Sequence, residues 1–222
     1  EALDQYVSFT SNALRSPQLP DEFKQRLLTD VDTRYRQMIV KQPYDSRAIL
    51  ALGSFYNEFN FVENSIPLLL EAEKLSPKKQ AILFQIGLAY MTMKDKEASL
   101  EYFKKAHELA PEYSQAGMLY SLGLLKFGEL AESKRVLEPY VKLGITPEAF
   151  LVSEFINSAN QNSIIPLLRM AIEANPKNYA SYEELARVYV SLNQKDLAKK
   201  VAEEMGAVEG LEERASRLIN NL

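Results

Sequence analysis

The chain has 222 residues, a formal net charge of −4, one histidine and neither cysteine nor tryptophan. Without thiols there can be no disulfide, thiolate nucleophile or cysteine-bound zinc or iron–sulfur cluster, and the single His107 excludes metal motifs built on two imidazoles. The slightly acidic balance argues against a nucleic-acid binder, while 46% hydrophobic and 25% charged residues point to a folded chain rather than a disordered one.

In chain order, residues 1–15 read as a helix whose apolar side carries Leu3, Tyr6, Val7, Phe9 and Leu14. Leu19-Pro20-Asp21-Glu22 then has the form of a helix start, with proline and acids in the first turn. An apolar rhythm of Phe23, Leu27, Val31, Tyr35, Met38 and Ile39 runs on to Gln42-Pro43. From there the sequence repeats itself. Pro43, Pro77 and Pro111 are spaced by 34 residues. Leu52-Gly53-Ser54-Phe55-Tyr56 and Ile86-Gly87-Leu88-Ala89-Tyr90 keep that offset, as do Ser65 and Ser99, Leu69 and Phe103, and Ala72 and Ala106. Each proline ends a helical segment, because it cannot continue the helix and biases the residue before it to extended geometry. Gly53, Gly87 and Ala186, with Ser65, Ser99, Ser133 and Ala198, are small enough for paired helices to approach closely. Pro67 and Pro166 follow Asn64-Ser65 and Asn162-Ser163 and read as first-turn start signals.

A 34-residue period carrying a large residue, L-G-x-x-Y, a small residue, an aromatic, Ala and Pro resembles the tetratricopeptide repeat. The resemblance implies an all-α fold, a right-handed α-solenoid of about five helix pairs with capping helices. The expected frame is an N-terminal cap at 1–45 and repeats at 46–79, 80–113, 114–144, 145–178 and 179–210. Residues 211–222 form a C-terminal cap. The third and fourth repeats are degenerate: Ile145 replaces the terminal proline of the third, and Pro176 comes three residues early. Lys142 to Pro147 should therefore be a tightened or irregular connection.

In this family the first helix of each pair lines a concave groove that holds peptides or helices. Carried over by register, the first repeat offers Arg47, Leu50, Ser54, Asn57 and Glu58; the second offers Ala81, Phe84, Leu88, Met91 and Thr92. The third contributes Gln115, Met118, Leu122, Leu125 and Lys126, and the fourth Thr146, Ala149, Ser153, Ile156 and Asn157. The expected binding set is the apolar part, Leu50, Phe84, Leu88, Met91, Met118, Leu122, Leu125 and Ile156. Members that grip acidic chaperone tails use Lys and Asn at fixed places; here those places hold Leu50, Ser54, Gln85, Gln115 and Leu119, so no carboxylate clamp is expected. The groove is open to a foreign protein or peptide, to the chain's own termini or to a second copy.

No catalytic, cofactor or metal residue is expected. His107 sits among charges in Lys104-Lys105-Ala106-His107-Glu108, and the pairs Glu183-Glu184, Glu203-Glu204 and Glu212-Glu213 point to different sides of a helix. Lys78-Lys79 and Lys199-Lys200 are too small for nucleic-acid patches, and no phosphate-loop or nucleophile-elbow pattern occurs. The longest apolar stretch, Ala116 to Leu125, is far short of the ~20 residues of a spanning helix. The start at Glu1, without a visible signal peptide, reads as a cut fragment.

Ala72-Glu73-Lys74-Leu75-Ser76-Pro77-Lys78-Lys79-Gln80-Ala81-Ile82-Leu83-Phe84, the opening Leu19-Pro20-Asp21-Glu22-Phe23-Lys24-Gln25 and Asn175-Pro176-Lys177-Asn178-Tyr179 also resemble the C-terminal repeat tails of bacterial O-antigen ligase/polymerase-like membrane proteins. That resemblance implies an extracytoplasmic (periplasmic or cell-surface) tail, with catalysis elsewhere in the parent and contacts to its membrane domain or a saccharide. A cytoplasmic location is the alternative. Phe55, Tyr102, Tyr120 and Tyr140 are the aromatics on which a sugar could stack if exposed. Two readings thus stand: a non-catalytic protein-interaction scaffold, and an accessory domain of a glycan-assembly protein.

Overall fold

The computed structural model describes residues 2–157 and 161–222, so residues 158–160 of the expected fourth repeat lie outside the described residues. The described residues form α-helices and one 3-10 turn, without strands. The helices are α1 (Ala2–Arg15), α2 (Asp21–Lys41), α3 (Ser46–Glu58), α4 (Val62–Leu75), α5 (Gln80–Thr92), α6 (Lys96–Leu109) and α7 (Ser114–Lys126). They continue as α8 (Leu130–Val141), α9 (Ala149–Asn157), α10 (Ile165–Ala174), α11 (Tyr179–Ser191), α12 (Lys195–Gly206) and α13 (Glu212–Asn220). The architecture is an all-α solenoid.

Two turn types alternate, and residue chemistry dictates both. After α2, α4, α6 and α10, a proline (Pro43, Pro77, Pro111, Pro176) stands second in a four-residue turn, where its fixed φ is already correct. The closing bonds run from Asp45 N–H to Gln42 O at 3.0 Å, Lys79 to Ser76 at 3.1 Å, Tyr113 to Ala110 at 3.0 Å and Asn178 to Asn175 at 3.0 Å. The other turn follows α3, α5, α7 and α11 and needs a left-handed residue: Asn60 (φ 61°), Lys94 (φ 61°), Gly128 (φ 80°) and Asn193 (φ 58°). The next N–H reaches back to the last helical turn, Phe61 to Tyr56 O at 2.9 Å and Asp95 to Tyr90 O at 3.0 Å. Glu129 to Leu124 and Gln194 to Tyr189 repeat the bond at 2.8 Å. This is the Schellman closure of a helix C-terminus.

Where the proline is missing, the chain turns differently. α8 ends at Val141, Gly144 takes φ 74°, and Ile145 N–H bonds Tyr140 O at 3.1 Å before α9 begins at Ala149. Asn178 Nδ2 donates to Gly144 O and Thr146 Oγ1, both at 3.0 Å, pinning this connection to the start of α11. Pro166 lies at the start of α10 as expected from its sequence context, but Pro67 is inside α4. That corrects the reading of Pro67 as a first-turn signal: α4 already starts at Val62, so the missing N–H falls within the helix.

The described residues fall into two compact units, dividing between Tyr102 and Phe103 within α6. In the first unit, Val31, Tyr35, Ala48, Leu52 and Phe55 form one buried cluster, and Ile49, Leu69, Ala72, Ile82 and Ile86 another. In the second unit one larger core joins Leu137, Leu151, Phe155, Leu168, Leu185 and Val201. Close approach within pairs depends on glycine. A Cβ at Gly53 would lie 2.7 Å from Leu69 Cδ2, and one at Gly117 would lie 2.2 Å from Tyr140 Cε2.

The small residue of the second helix does more than make room. Ser65 Oγ donates to Gly53 O at 2.8 Å and Ser99 Oγ to Gly87 O at 2.9 Å, both serines fully buried. In the third repeat, Ser121 and Ser133 hydroxyls meet at 2.7 Å. Ser99→Ala keeps the close approach and deletes one buried bond, so chemical denaturation should register a loss of about 1 kcal/mol. Unchanged stability would mean the hydroxyl contributes only its small size.

Candidate groove of the first unit

Within the first unit, α1, α3 and α5 surround a groove of about 540 Å³. That falls in the usual range for ligand sites, about 300–1,000 Å³. Its apolar surface comes from Val7 of α1, Ala51 and Phe55 of α3, and Leu88 and Met91 of α5. Its polar surface comes from Ser54, Asn57, Glu58, Gln85 and Thr92.

The polar side chains hold one another in place. Asn57 Nδ2 donates to Gln85 O at 2.7 Å and to Gln85 Oε1 at 3.0 Å, tying α3 to α5. Because a backbone carbonyl can only accept, these bonds fix the amide orientation, and Asn57 Oδ1 is left buried without a donor. Glu58 is covered from the other side, accepting from Ser11 Oγ at 3.2 Å and Arg15 at 2.6 Å. α1 is therefore a wall of the groove, and Glu58, the only carboxylate among the described lining residues, is already paired. Among the described residues the lining contains no lysine or arginine.

The expected binding residues divide by environment. Leu88 and Met91 line the groove. Leu50 is half-buried against the Ile49 cluster, and Phe84 is half-buried on α5 outside the groove lining. In the second unit, Leu122 and Ile156 are half-buried against the core, while Met118 and Leu125 are core residues, 2% and 8% exposed. The last two offer little surface to a partner, because Leu151, Val152 and Phe155 of α9 join the same cluster. Repeat register does not point to Val7, Ala51 and Phe55, which line the groove as well. Val7 is legible in the sequence only as part of the apolar side of α1, and its neighbour Phe9 is 58% exposed.

Of the aromatics considered for sugar stacking, Phe55 and Tyr140 are buried, and Tyr102 and Tyr120 are half-buried. Burial and the Glu73 carboxylate, which accepts from the Tyr102 hydroxyl at 3.0 Å, push that phenol well above its ordinary value. In a cleft between α11 and α13, Arg187, Arg214 and Arg217 each pair with a glutamate, Glu184, Glu183 and Glu213 respectively. Among the described residues there is no cluster suited to a metal ion and no helix long and apolar enough to cross a membrane.

His107 is half-buried, its ring 5.9 Å from Tyr120 and 6.4 Å from Tyr140. Tyr140 donates its one proton to Pro111 O at 2.6 Å, so the 3.4 Å contact with His107 requires Nδ1–H as donor. Burial lowers the imidazole pKa below 6.5, against a smaller opposing effect of Glu108. The folded state then binds fewer protons than the unfolded one. Stability is complete above the unfolded value, falls as pH drops through the window below 6.5, and levels off beneath the native pKa. Between about pH 7.5 and about pH 5.5, wild type should lose more stability than His107→Phe, measured by denaturant titration. Equal losses would place the imidazole in water.

The likenesses to known proteins concern the fold. The family model described as tetratricopeptide repeat matches residues 81–113. Over those residues the sequence is similar to a tetratricopeptide repeat. No curated protein matches the sequence. Among solved structures, the chain is similar to yeast Tom70, with 12% identity over 99% of this chain and 46% of that one, at a TM-score of 0.57. It is also similar to a tetratricopeptide repeat protein from Parabacteroides merdae, with 12% identity over 98% and 92% of the two chains, at a TM-score of 0.53. At these identities the likeness concerns the fold, a solenoid of helix pairs.

Proposed function

We propose that the chain is a non-catalytic protein-interaction scaffold whose first-unit groove holds a short peptide or helix by apolar anchors. One observation carries this reading: about 540 Å³ lies open between α1, α3 and α5, with Leu88, Met91, Val7 and Ala51 on its surface. The stretch similar to a tetratricopeptide repeat, 81–113, supplies α5. An acidic terminus is disfavoured, because the described lining residues include no cation to meet it and do include Glu58. The favoured guest is neutral or weakly basic, with aliphatic or aromatic side chains at helical or extended spacing. A peptide-display selection tests this, with Leu88→Asp/Met91→Asp protein as the counter-target. Enrichment of apolar-anchored sequences on wild type alone is expected; the same sequences recovered on both proteins would reject the groove.

A further inference from the structure

On a different face of the first unit, α2, the end of α3 and the start of α4 enclose a depression of about 240 Å³. None of its residues lines the groove, so a guest here would be independent of any peptide bound there. The depression lies below the usual range of about 300–1,000 Å³ for ligand pockets and suits a small, compact guest.

Its chemistry is that of planar polar groups around an aromatic surface. Phe61 is 41% exposed and meets Tyr56 edge-on, with ring centres 6.3 Å apart. Asp32 lies beside them, with Oδ1 accepting from Tyr56 Oη at 2.6 Å and Arg36 Nε at 2.8 Å. Arg36 Nε also reaches Oδ2 at 2.9 Å, which leaves Oδ2 a lone pair. The exposed carboxamides of Gln25 and Asn64 complete the ring of donors and acceptors. Thr29 Oγ1 gives its proton to Gln25 O at 2.9 Å and so presents only lone pairs. Asp32 repels an anion, and Arg36 already balances its charge against a cation. A neutral guest with several hydroxyls on one side and C–H groups on the other meets every one of these groups.

Repeat packing does not require this set. Thirty-four residues on, Phe61 and Asn64 become Asp95 and Ala98, and Asp95 caps its helix by accepting from Ala98 N–H at 3.1 Å. Phe61 occupies the cap position of α4 and makes no such bond. Glu129 and Gln194, at the corresponding places before α8 and α12, make no side-chain cap either, but of these four positions only the first carries an exposed phenyl ring, a side chain that neither capping nor packing asks for.

We infer that this depression binds a neutral sugar ring, stacked on Phe61 and hydrogen-bonded by Asp32, Gln25 and Asn64, as a free monosaccharide or as a terminal residue of a glycan. NMR titration with glucose, galactose and N-acetylglucosamine tests the free form, and a glycan array tests the attached one. Saturable shifts at Phe61 and Tyr56 are expected with millimolar affinity, and Gln25→Ala/Asn64→Ala should weaken them at least about tenfold. Phe61→Asp installs the cap seen at Asp95, so it should fold normally and abolish sugar binding, while Leu88→Asp should leave it intact. Array binding without free-sugar shifts would assign the glycan end. No saturable response in either arm up to about 100 mM sugar, or binding unchanged by Phe61→Asp, overturns the assignment.

Discussion

Gly117→Ala is expected to cost about 2–3 kcal/mol, despite the better helix propensity of alanine. The new methyl would lie 2.2 Å from Tyr140 Cε2 and 2.5 Å from its hydroxyl. Tyr140 is 4% exposed and bonded to Pro111 O, so it cannot swing aside without losing burial and that bond together. Gly53→Ala meets the flexible end of Leu69 and should cost less, about 1 kcal/mol. Urea denaturation of both variants, with Tyr140→Leu added to Gly117→Ala, tests the cause. The double variant should recover part of the loss, because the residues are in contact and their effects are coupled. A Gly117→Ala protein as stable as wild type would show that α7 and α8 can separate freely.

Leu88→Asp/Met91→Asp should weaken a peptide selected on the wild-type protein by at least about a hundredfold, near 2.7 kcal/mol. Both side chains lie on the groove surface and are only half-buried, so the charges remain hydrated in the free protein and the helix persists. The cost falls on the complex, where two carboxylates must be desolvated against apolar anchors. Phe84→Asp lies on the same helix outside the lining and should weaken binding far less. Calorimetry of the two variants, with circular dichroism to verify folding, separates a groove from a general apolar surface. Equal losses would remove the groove's special status.

The turns between helices were legible in part because their residues are chemically favoured there. Proline suits the second place of the turns at Pro43, Pro77, Pro111 and Pro176 because its φ is already set, and glycine at 53 is required by the Leu69 side chain, whereas the need for glycine at 117, against Tyr140, has no counterpart in the repeat pattern. The second turn was half hidden, since Asn60 and Gly128 suit a left-handed backbone whereas Lys94 gives no such signal. Register placed Ser54, Asn57, Glu58, Leu88, Met91 and Thr92 on one face, and those residues do share a groove. The same register could not tell Met118 and Leu125 from their counterparts, because helical spacing fixes direction and not what packs on top. The depression beside Phe61 was invisible for another reason. Gln25 and Asp32 come from α2 of the N-terminal cap, Tyr56 and Asn64 from the two helices of the first repeat, and no single periodicity links them.

The most direct test of the scaffold is a photo-crosslinking residue at Ser54, on the groove surface between α1 and α5. Irradiated with a selected apolar-anchored peptide, it should form a covalent adduct with that peptide, lost when Leu88→Asp/Met91→Asp is present. Adducts confined to the chain's own α1 or to a second copy, with the peptide still bound, would contradict the assignment of this groove to a foreign partner.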